Sequence, residues 1–205
     1  MRMHTLLSAA LISALALPAL AQTAPPDGTP TRIRGTVEKL DGQTLMVKSR
    51  EGQELPIALA PNFAVTGVVK RGLSDIKTGD YVASTSVKGT DGKLHAVEVH
   101  IFMESQRGIA EGQIPWDLVP DSLMTNATVT GISEGTQGRT LKVAYKGSES
   151  DVIVAPDTPI VTYVPADAGL LKPGAAVFLI ALKKPDGSLS AARVTAEKDG
   201  VKPPM

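Results

Sequence analysis

The first pattern along the chain is a short-range alternation of apolar and polar residues. Apolar positions two residues apart recur in many short runs, and this spacing is typical of strands that bury one face. The clearest runs contain Thr44 to Val47, Leu55 with Ile57 and Leu59, and Val97 with Val99 and Ile101. Helical periodicity is absent beyond the first residues, so the sequence predicts an all-β protein.

Turn signals separate these runs. Asp-Gly pairs at 41–42, 91–92 and 186–187 stand between apolar runs, where glycine supplies the positive φ of a tight hairpin. Short apolar pieces before Gly79 and Gly174 predict single helical turns that end at a glycine. The predicted strands are therefore short and joined mostly by hairpins.

The chain also contains an internal repeat. RGTVEKLDGQTLMVKS at 34–49 resembles NATVTGISEGTQGRTLKVAY at 126–145, and LPIALAPNFAV at 55–65 resembles SDVIVAPDTPI at 150–160. The landmarks that share an offset of 95 are Pro61 and Pro156, Gly79 and Gly174, and the Asp-Gly pairs at 91 and 186. A repeat of this length predicts two similar structural units.

Each unit has room for five or six strands, which suits a small closed barrel. We therefore predict two tandem small OB-like β-barrels joined by a packed linker, with barrels at 31–103 and 126–198 and the linker at 104–125. An SH3-like barrel, or a swapped sheet shared by both copies, is the alternative topology.

The order of these motifs resembles a known family. A glycine-opened strand, a Leu-x-Val strand, an Ala-Pro connection, a Lys-x-Gly turn, an Asp-Gly hairpin and an Ala-x-x-Val strand follow one another over 34–102. This order resembles a family of small β-domains of unknown function, found often in tandem in exported bacterial proteins. The second copy departs from it where Gly35 is replaced by Ala127 and Asp80 by Ala175. The resemblance implies the fold and the periplasm but no reaction.

The first 21 residues have the pattern of a cleavable signal peptide. Arg2 precedes an apolar run from Leu6 to Leu17, and small residues stand at Ala19 and Ala21. The run is shorter than the roughly 20 residues that cross a membrane, and no later segment approaches that length. We expect an exported periplasmic protein without a span in its mature chain, with flexible tails at 22–30 and 199–205.

Composition narrows the function classes further. The 21 basic and 21 acidic residues balance, so nothing suggests nucleic acid as a partner. The chain has no cysteine, which excludes disulfides and thiolate ligands. We expect a monomer whose stability comes from its apolar core.

The linker holds the only tryptophan of the chain, Trp116, among several other apolar residues. A segment with this many apolar residues is unsuited to solvent, so we expect it to pack against the two barrels that it joins. One hypothesis is an inter-barrel clamp with Trp116 in the groove between barrels. The other is a groove for a ligand or partner, lined by Trp116, Asp117, Arg107 and Glu111.

Candidate metal ligands are few. His95 and His100 lie five positions apart, which on a regular strand means opposite faces, so one ion cannot take both without a bulge. Glu98, His100 and Glu104 share a face and could hold a divalent ion such as copper or zinc. No nucleophile motif or phosphate loop is present.

The sequence thus favours a non-catalytic periplasmic binding protein without a cofactor. Its partner would be an envelope protein or a small polar ligand. The alternative is a periplasmic protein that handles copper or zinc.

Overall fold

A computed structural model describes residues 28–204; the predicted signal peptide and most of the predicted N-terminal tail lie outside them. The described chain forms twelve strands and three single-turn 3-10 helices. The strands are β1 (Thr29–Asp41), β2 (Thr44–Ser49), β3 (Glu54–Arg71), β4 (Tyr81–Lys88), β5 (Leu94–Ile101), β6 (Gly112–Pro115), β7 (Leu123–Gly135), β8 (Gly138–Tyr145), β9 (Ser148–Val154), β10 (Ile160–Ala166), β11 (Ala176–Lys183) and β12 (Leu189–Ala196). The helical turns are Leu73–Asp75, Glu104–Gln106 and Ala168–Leu170. The prediction of an all-β protein is confirmed.

Five strands close into a barrel, which we call the first ring. Strands β1, β2 and β3 pair in sequence order, β11 pairs with β1, and β12 joins β11 to β3. The contact between β12 and β3 is parallel and all the others are antiparallel. Closure leaves this barrel without an exposed edge along most of its length.

Five of the remaining strands form a second ring with an equivalent pairing order. Strands β7, β8 and β9 pair in sequence, β4 pairs with β7, and β5 joins β4 to β9 through a parallel contact. Strand β10 links the rings because it pairs with β3 on one side and with β5 on the other. All twelve strands therefore belong to one continuous sheet.

The rings do not follow the predicted division into one barrel per repeat. The first ring takes β11 and β12 from the second repeat, and the second ring takes β4 and β5 from the first. The stretches 31–103 and 126–198 thus exchange their last hairpins, as in the swapped alternative. Alternation along a strand shows which face is buried, but it does not identify the pairing partner, so the sequence could not distinguish these topologies.

The element bounds recur at the offset seen in the sequence. The helical turn Leu73–Asp75, β4 and β5 each have a counterpart 95 residues later. The antiparallel pairing of β3 with β10 is symmetric about Val68 and Tyr163, which are partners in the register and are also 95 residues apart. This pair therefore marks a pseudo-twofold axis between the rings.

Three apolar clusters form the core. One fills the first ring around Leu45, Val47 and Ile57, and another fills the second ring around Val82 and Leu141. The third cluster lies between the rings and contains Val68, Ala83, Met124, Val161, Tyr163 and Phe178. The two rings are therefore packed against each other by their outer faces.

The segment after β12 is also packed. Val201 forms a bridge with Lys198 and packs on the third cluster, so residues 199–204 differ from the flexible tail expected there. Within the described chain, no helix has the length and apolar character needed to span a membrane.

Candidate functional site

The linker at 104–125 is anchored to the second ring by hydrogen bonds. Strand β6 pairs with the start of β7. Tyr81 Oη and Asn126 Nδ2 both donate to the Ile109 carbonyl, at 3.0 and 3.1 Å.

Two charged side chains of the linker also bind the second ring. The Glu111 carboxylate accepts from the Lys146 backbone N–H at 2.8 Å, and Arg107 Nη2 donates to the Gly79 carbonyl at 2.9 Å. The linker therefore has regular structure where the sequence shows no period.

After β6, the linker reaches the first ring through Trp116 and Asp117. The guanidinium carbon of Arg32 lies 3.8 Å from the centroid of the Trp116 ring, close enough for a cation–π contact. Arg34 Nη2 donates to Asp117 Oδ1 at 2.9 Å, and Arg50 Nη2 donates to the Asp117 carbonyl at 3.2 Å. The half-buried Trp116 also packs on the third apolar cluster. The linker thus contacts both rings, as the clamp hypothesis predicts.

The ion pairs hold Asp117 in its charged form. Partial burial alone would raise the pKa of the Asp117 carboxyl, but the hydrogen bond from Arg34 and the charges of Arg34 and Arg32 outweigh it. The net result is a pKa below the ordinary value, so at neutral pH an ionised carboxylate faces the two guanidinium groups.

A cavity of about 560 Å³ lies between the linker and the outer faces of both rings. We call it the linker groove. Its apolar lining includes Phe102, Ile109, Ile114, Trp116, Met124, Phe178 and Ile180. Its polar lining includes Thr31, Arg32, Asp117 and Asn126. This volume and mixture are typical of small-molecule sites.

The strand pleat explains why these side chains meet. Ile33 points into the core of the first ring, so its neighbours Arg32 and Arg34 project from the outer face of β1. Ala83 of β4 and Phe178 of β11 are 95 residues apart and both line the groove. The groove therefore lies where equivalent outer faces of the two rings meet, and the single linker covers it on one side.

A smaller, charged cavity of about 330 Å³ adjoins the groove, and we call it the arginine pocket. The two cavities share Thr31, Arg32 and Asp117. The charged side chains that line it are Arg32, Arg34, Arg50, Lys183, Glu51 and Asp117. Four are cationic and two anionic, so the pocket has an excess of positive charge.

Behind the groove lies a buried polar cluster. Glu98 is 1% exposed, and its Oε1 accepts a hydrogen bond from Thr85 Oγ1 at 2.9 Å. Burial raises the pKa of Glu98 to about 7, although the Thr85 hydroxyl and the Arg34 charge partly oppose this. Within the described chain, Glu98 Oε2, Tyr163 Oη and Arg34 Nε meet no hydrogen-bond partner. These three buried groups therefore make fewer hydrogen bonds than their atoms allow.

His100 belongs to the same cluster and is neutral there. Its ring centroid lies 3.9 Å from that of Tyr163 and 4.4 Å from that of Phe102. Burial lowers the pKa of His100 to about 3. Burial, followed by the charge of Glu98, raises the pKa of Tyr163. Since Phe102 also lines the linker groove, one aromatic ring separates His100 from the groove.

The predicted metal ligands are not brought together. Glu98 and His100 are buried, whereas the exposed Glu104 lies in the helical turn after β5 and accepts two hydrogen bonds from Arg107. Residues 28–204 contain no group of three or more His, Asp or Glu side chains that could hold a metal ion. The copper or zinc hypothesis stays a prediction that these positions do not support.

His95 and His100 also have separate surroundings, for a different reason from the one expected. The register of β5 against β4 shifts between Glu98 and Ala96, so Val97 forms a bulge. The bulge changes the strict alternation on which the opposite-face prediction depended. His95 Nε2 instead lies 3.1 Å from the Asp91 carboxylate, in the adjoining hairpin.

The four predicted ligand-binding residues divide into two pairs. Trp116 and Asp117 line the linker groove, whereas Arg107 and Glu111 are outside its lining and fasten the linker to the second ring. Sequence reasoning missed Arg32 and Arg34, although two arginines on either side of a core isoleucine were a usable signal. It also missed Phe178 and Ile180, which only the strand exchange brings to the linker.

No protein-family model, no curated protein and no solved structure matches this chain. The resemblance to small exported β-domains therefore stays a prediction from the motifs.

Proposed function

We propose that this chain is a non-catalytic binding protein of the periplasm that holds a small amphipathic molecule in the linker groove. The proposal depends on where the exposed apolar side chains lie. In residues 28–204, the exposed large hydrophobic side chains are Ile109, Ile114 and Ile180, and all three line the groove. Exposed apolar side chains that converge on one concavity favour a binding role.

The rigidity of the linker supports the same proposal. The groove wall is fixed by β6 pairing and by the ion pairs of Asp117, so its shape does not have to be ordered when a ligand enters. A preformed site loses less conformational entropy on binding than a mobile loop does. The mostly apolar lining favours an amphipathic ligand over the small polar ligand expected from sequence.

The charged groups of the groove favour binding over reaction. Arg32 of the groove and Arg34 of the adjoining arginine pocket already contact the Asp117 carboxylate. The titratable Glu98 and His100 are buried behind the aromatic and apolar wall. We therefore propose no proton transfer or covalent step for this site.

Titration with the neutral apolar dye N-phenyl-1-naphthylamine tests the proposal. Its fluorescence should rise with a stoichiometry of one dye per chain, and the emission of Trp116 should change in parallel. Ile180→Asp should weaken binding about tenfold or more, because it places a charge against the apolar dye. Thr44→Asp, at an exposed strand position outside the groove, is the matched control.

A dye that does not bind, or that binds equally to Ile180→Asp and to the wild type, would refute the proposal. Folding of both variants is checked by far-ultraviolet circular dichroism, so that loss of binding is not confused with loss of structure.

We further propose that the two rings arose by duplication of one barrel and that export through the leader at 1–21 delivers the protein to the periplasm. The element bounds that recur at an offset of 95 residues support the first part. The pattern of the leader supports the second. Identification of the mature N-terminus by mass spectrometry of a periplasmic extract would test export, with Gln22 as the expected first residue.

A further inference from the structure

We infer that the ligand of the linker groove is an aliphatic carboxylate, whose chain lies in the groove and whose head lies in the arginine pocket. This inference rests on the proposed function and adds the chemical class of the ligand. The two cavities adjoin each other, because Thr31, Arg32 and Asp117 line both of them. A molecule long enough to fill the groove therefore has one end at the arginine pocket.

Charge complementarity identifies that end as an anion. The arginine pocket has four cationic and two anionic side chains in its lining. One of those anions, Glu51, is already paired with Arg50, with Glu51 Oε1 2.7 Å from Arg50 Nε. Lys183 has no ion-pair partner among the residues of the described chain. An added negative charge would therefore be attracted there.

Asp117 indicates which anion fits. Its carboxylate lies 2.9 Å from Arg34 Nη2 and 3.8 Å from Arg32 Nη1, at the junction of the two cavities. The linker thus presents to these guanidinium groups the same chemical group that the ligand would bring. Planar guanidinium groups match the geometry of a carboxylate well. In the free protein, Asp117 is the resident counter-ion, and the ligand competes with it for these arginines.

The groove sets the approximate length of the ligand. A cavity of about 560 Å³ falls in the range that holds molecules of drug-like size, so a chain of about ten carbons is a suitable probe. Decanoate carries the proposed head, and 1-decanol is its neutral counterpart of equal chain length. Affinity should rise about fourfold for each added methylene until the groove is filled.

Displacement of N-phenyl-1-naphthylamine from the full mature chain by decanoate and by 1-decanol tests the inference. Decanoate should bind about tenfold more tightly than 1-decanol, because its head forms charge-assisted hydrogen bonds. High salt should reduce this preference, since the arginine pocket is partly exposed to solvent. Arg50→Gln should also reduce the ratio of the two affinities, whereas the exposed Lys39→Gln, outside both cavities, should leave it unchanged.

Asp117→Asn gives the sharpest test because it predicts a gain. Removing the resident carboxylate should strengthen decanoate binding about tenfold, since Arg34 and Arg32 lose their competing anion. A purely structural role for Asp117 would instead weaken the binding of both probes. Melting temperatures measured alongside distinguish a loosened linker from an altered pocket.

The outcomes separate this inference from the proposed function. Equal affinity for decanoate and 1-decanol, or weaker decanoate binding by Asp117→Asn, would overturn the carboxylate assignment while the groove stays a binding site. Failure of the dye and of both decyl probes to bind would overturn both proposals.

Discussion

The buried carboxyl of Glu98 should make the stability of this protein depend on pH, and Glu98→Gln isolates that dependence. Glutamine has nearly the same shape, keeps an oxygen that can accept from the Thr85 hydroxyl, and carries no charge at any pH. The substitution therefore removes ionisation with little change in packing.

The size of the effect follows from the pKa of Glu98, which burial raises from its ordinary 4.5 to about 7. Between these two pH values the folded state holds a proton that the unfolded state has lost. The stability that this proton provides is fully present below pH 4.5 and is lost as the pH rises through 7. The corresponding free energy is about 3 kcal/mol.

His100 contributes in the opposite direction. Burial lowers the pKa of His100 from 6.5 to about 3, so its contribution is present above pH 6.5 and is lost as the pH falls. Between pH 4.5 and 6.5 the two effects oppose each other, so in that range the wild-type curve is flatter than either contribution alone. The informative quantity is the difference in free energy of unfolding between Glu98→Gln and the wild type at each pH.

Urea denaturation at about pH 4.5, 6 and 8, followed by circular dichroism, measures that difference. It should be close to zero at the lowest pH and should reach about 3 kcal/mol in favour of the variant at the highest. Glu54→Gln, at an exposed position of β3, gives the baseline for the loss of one carboxylate. A difference that is constant across the pH range would show that Glu98 is not held in a low-dielectric site, and the reasoning would be refuted.

Three further substitutions test other parts of the structure. Trp116→Ala should lower the free energy of unfolding by about 3 kcal/mol through lost packing between the rings, measured in urea, and an unchanged value would contradict the clamp. Gly35→Ala should lower the melting temperature strongly, because the added Cβ would lie 2.2 Å from the Lys48 carbonyl oxygen. Gly131→Ala is the control and should change the melting temperature little, since the nearest atom to its Cβ would be 3.7 Å away. His100→Leu should gain stability relative to the wild type as the pH falls below 6.5, and parallel pH curves in urea would contradict a buried neutral imidazole.

Much of the local structure could be predicted from sequence. Apolar alternation located strands such as β2 and β5, and the Asp-Gly pairs located hairpins, because both signals depend on neighbouring residues. The apolar content of the linker is too high for a solvated tether and therefore predicts that the segment packs. Trp116 and Asp117, two of the residues expected at a ligand site, line the linker groove, and their role in binding stays a prediction.

The predicted metal site depended on the end of one strand and on burial, and the sequence pattern predicts neither. A shared face for Glu98, His100 and Glu104 requires a strand that continues through Glu104. The strand stops at Ile101, and the backbone turns, so Glu104 lies in solvent beside Arg107 while the other two are enclosed. The enclosure comes from residues distant in sequence, such as Tyr163, whose ring centroid lies 3.9 Å from that of His100, and no local sequence pattern predicts it.

The sequence by itself determined the β class, the motifs that recur at an offset of 95 and the apolar linker, because strand period, turn chemistry and segment composition are properties of residues close together in the chain. Only the tertiary structure decided that the repeats exchange hairpins and that Arg32 and Arg34 meet Trp116 and Asp117. Strand alternation defines which face is buried but leaves open which strand lies beside it, and that choice depends on packing over the whole sheet. The groove, the arginine pocket and the buried Glu98 all follow from that long-range choice.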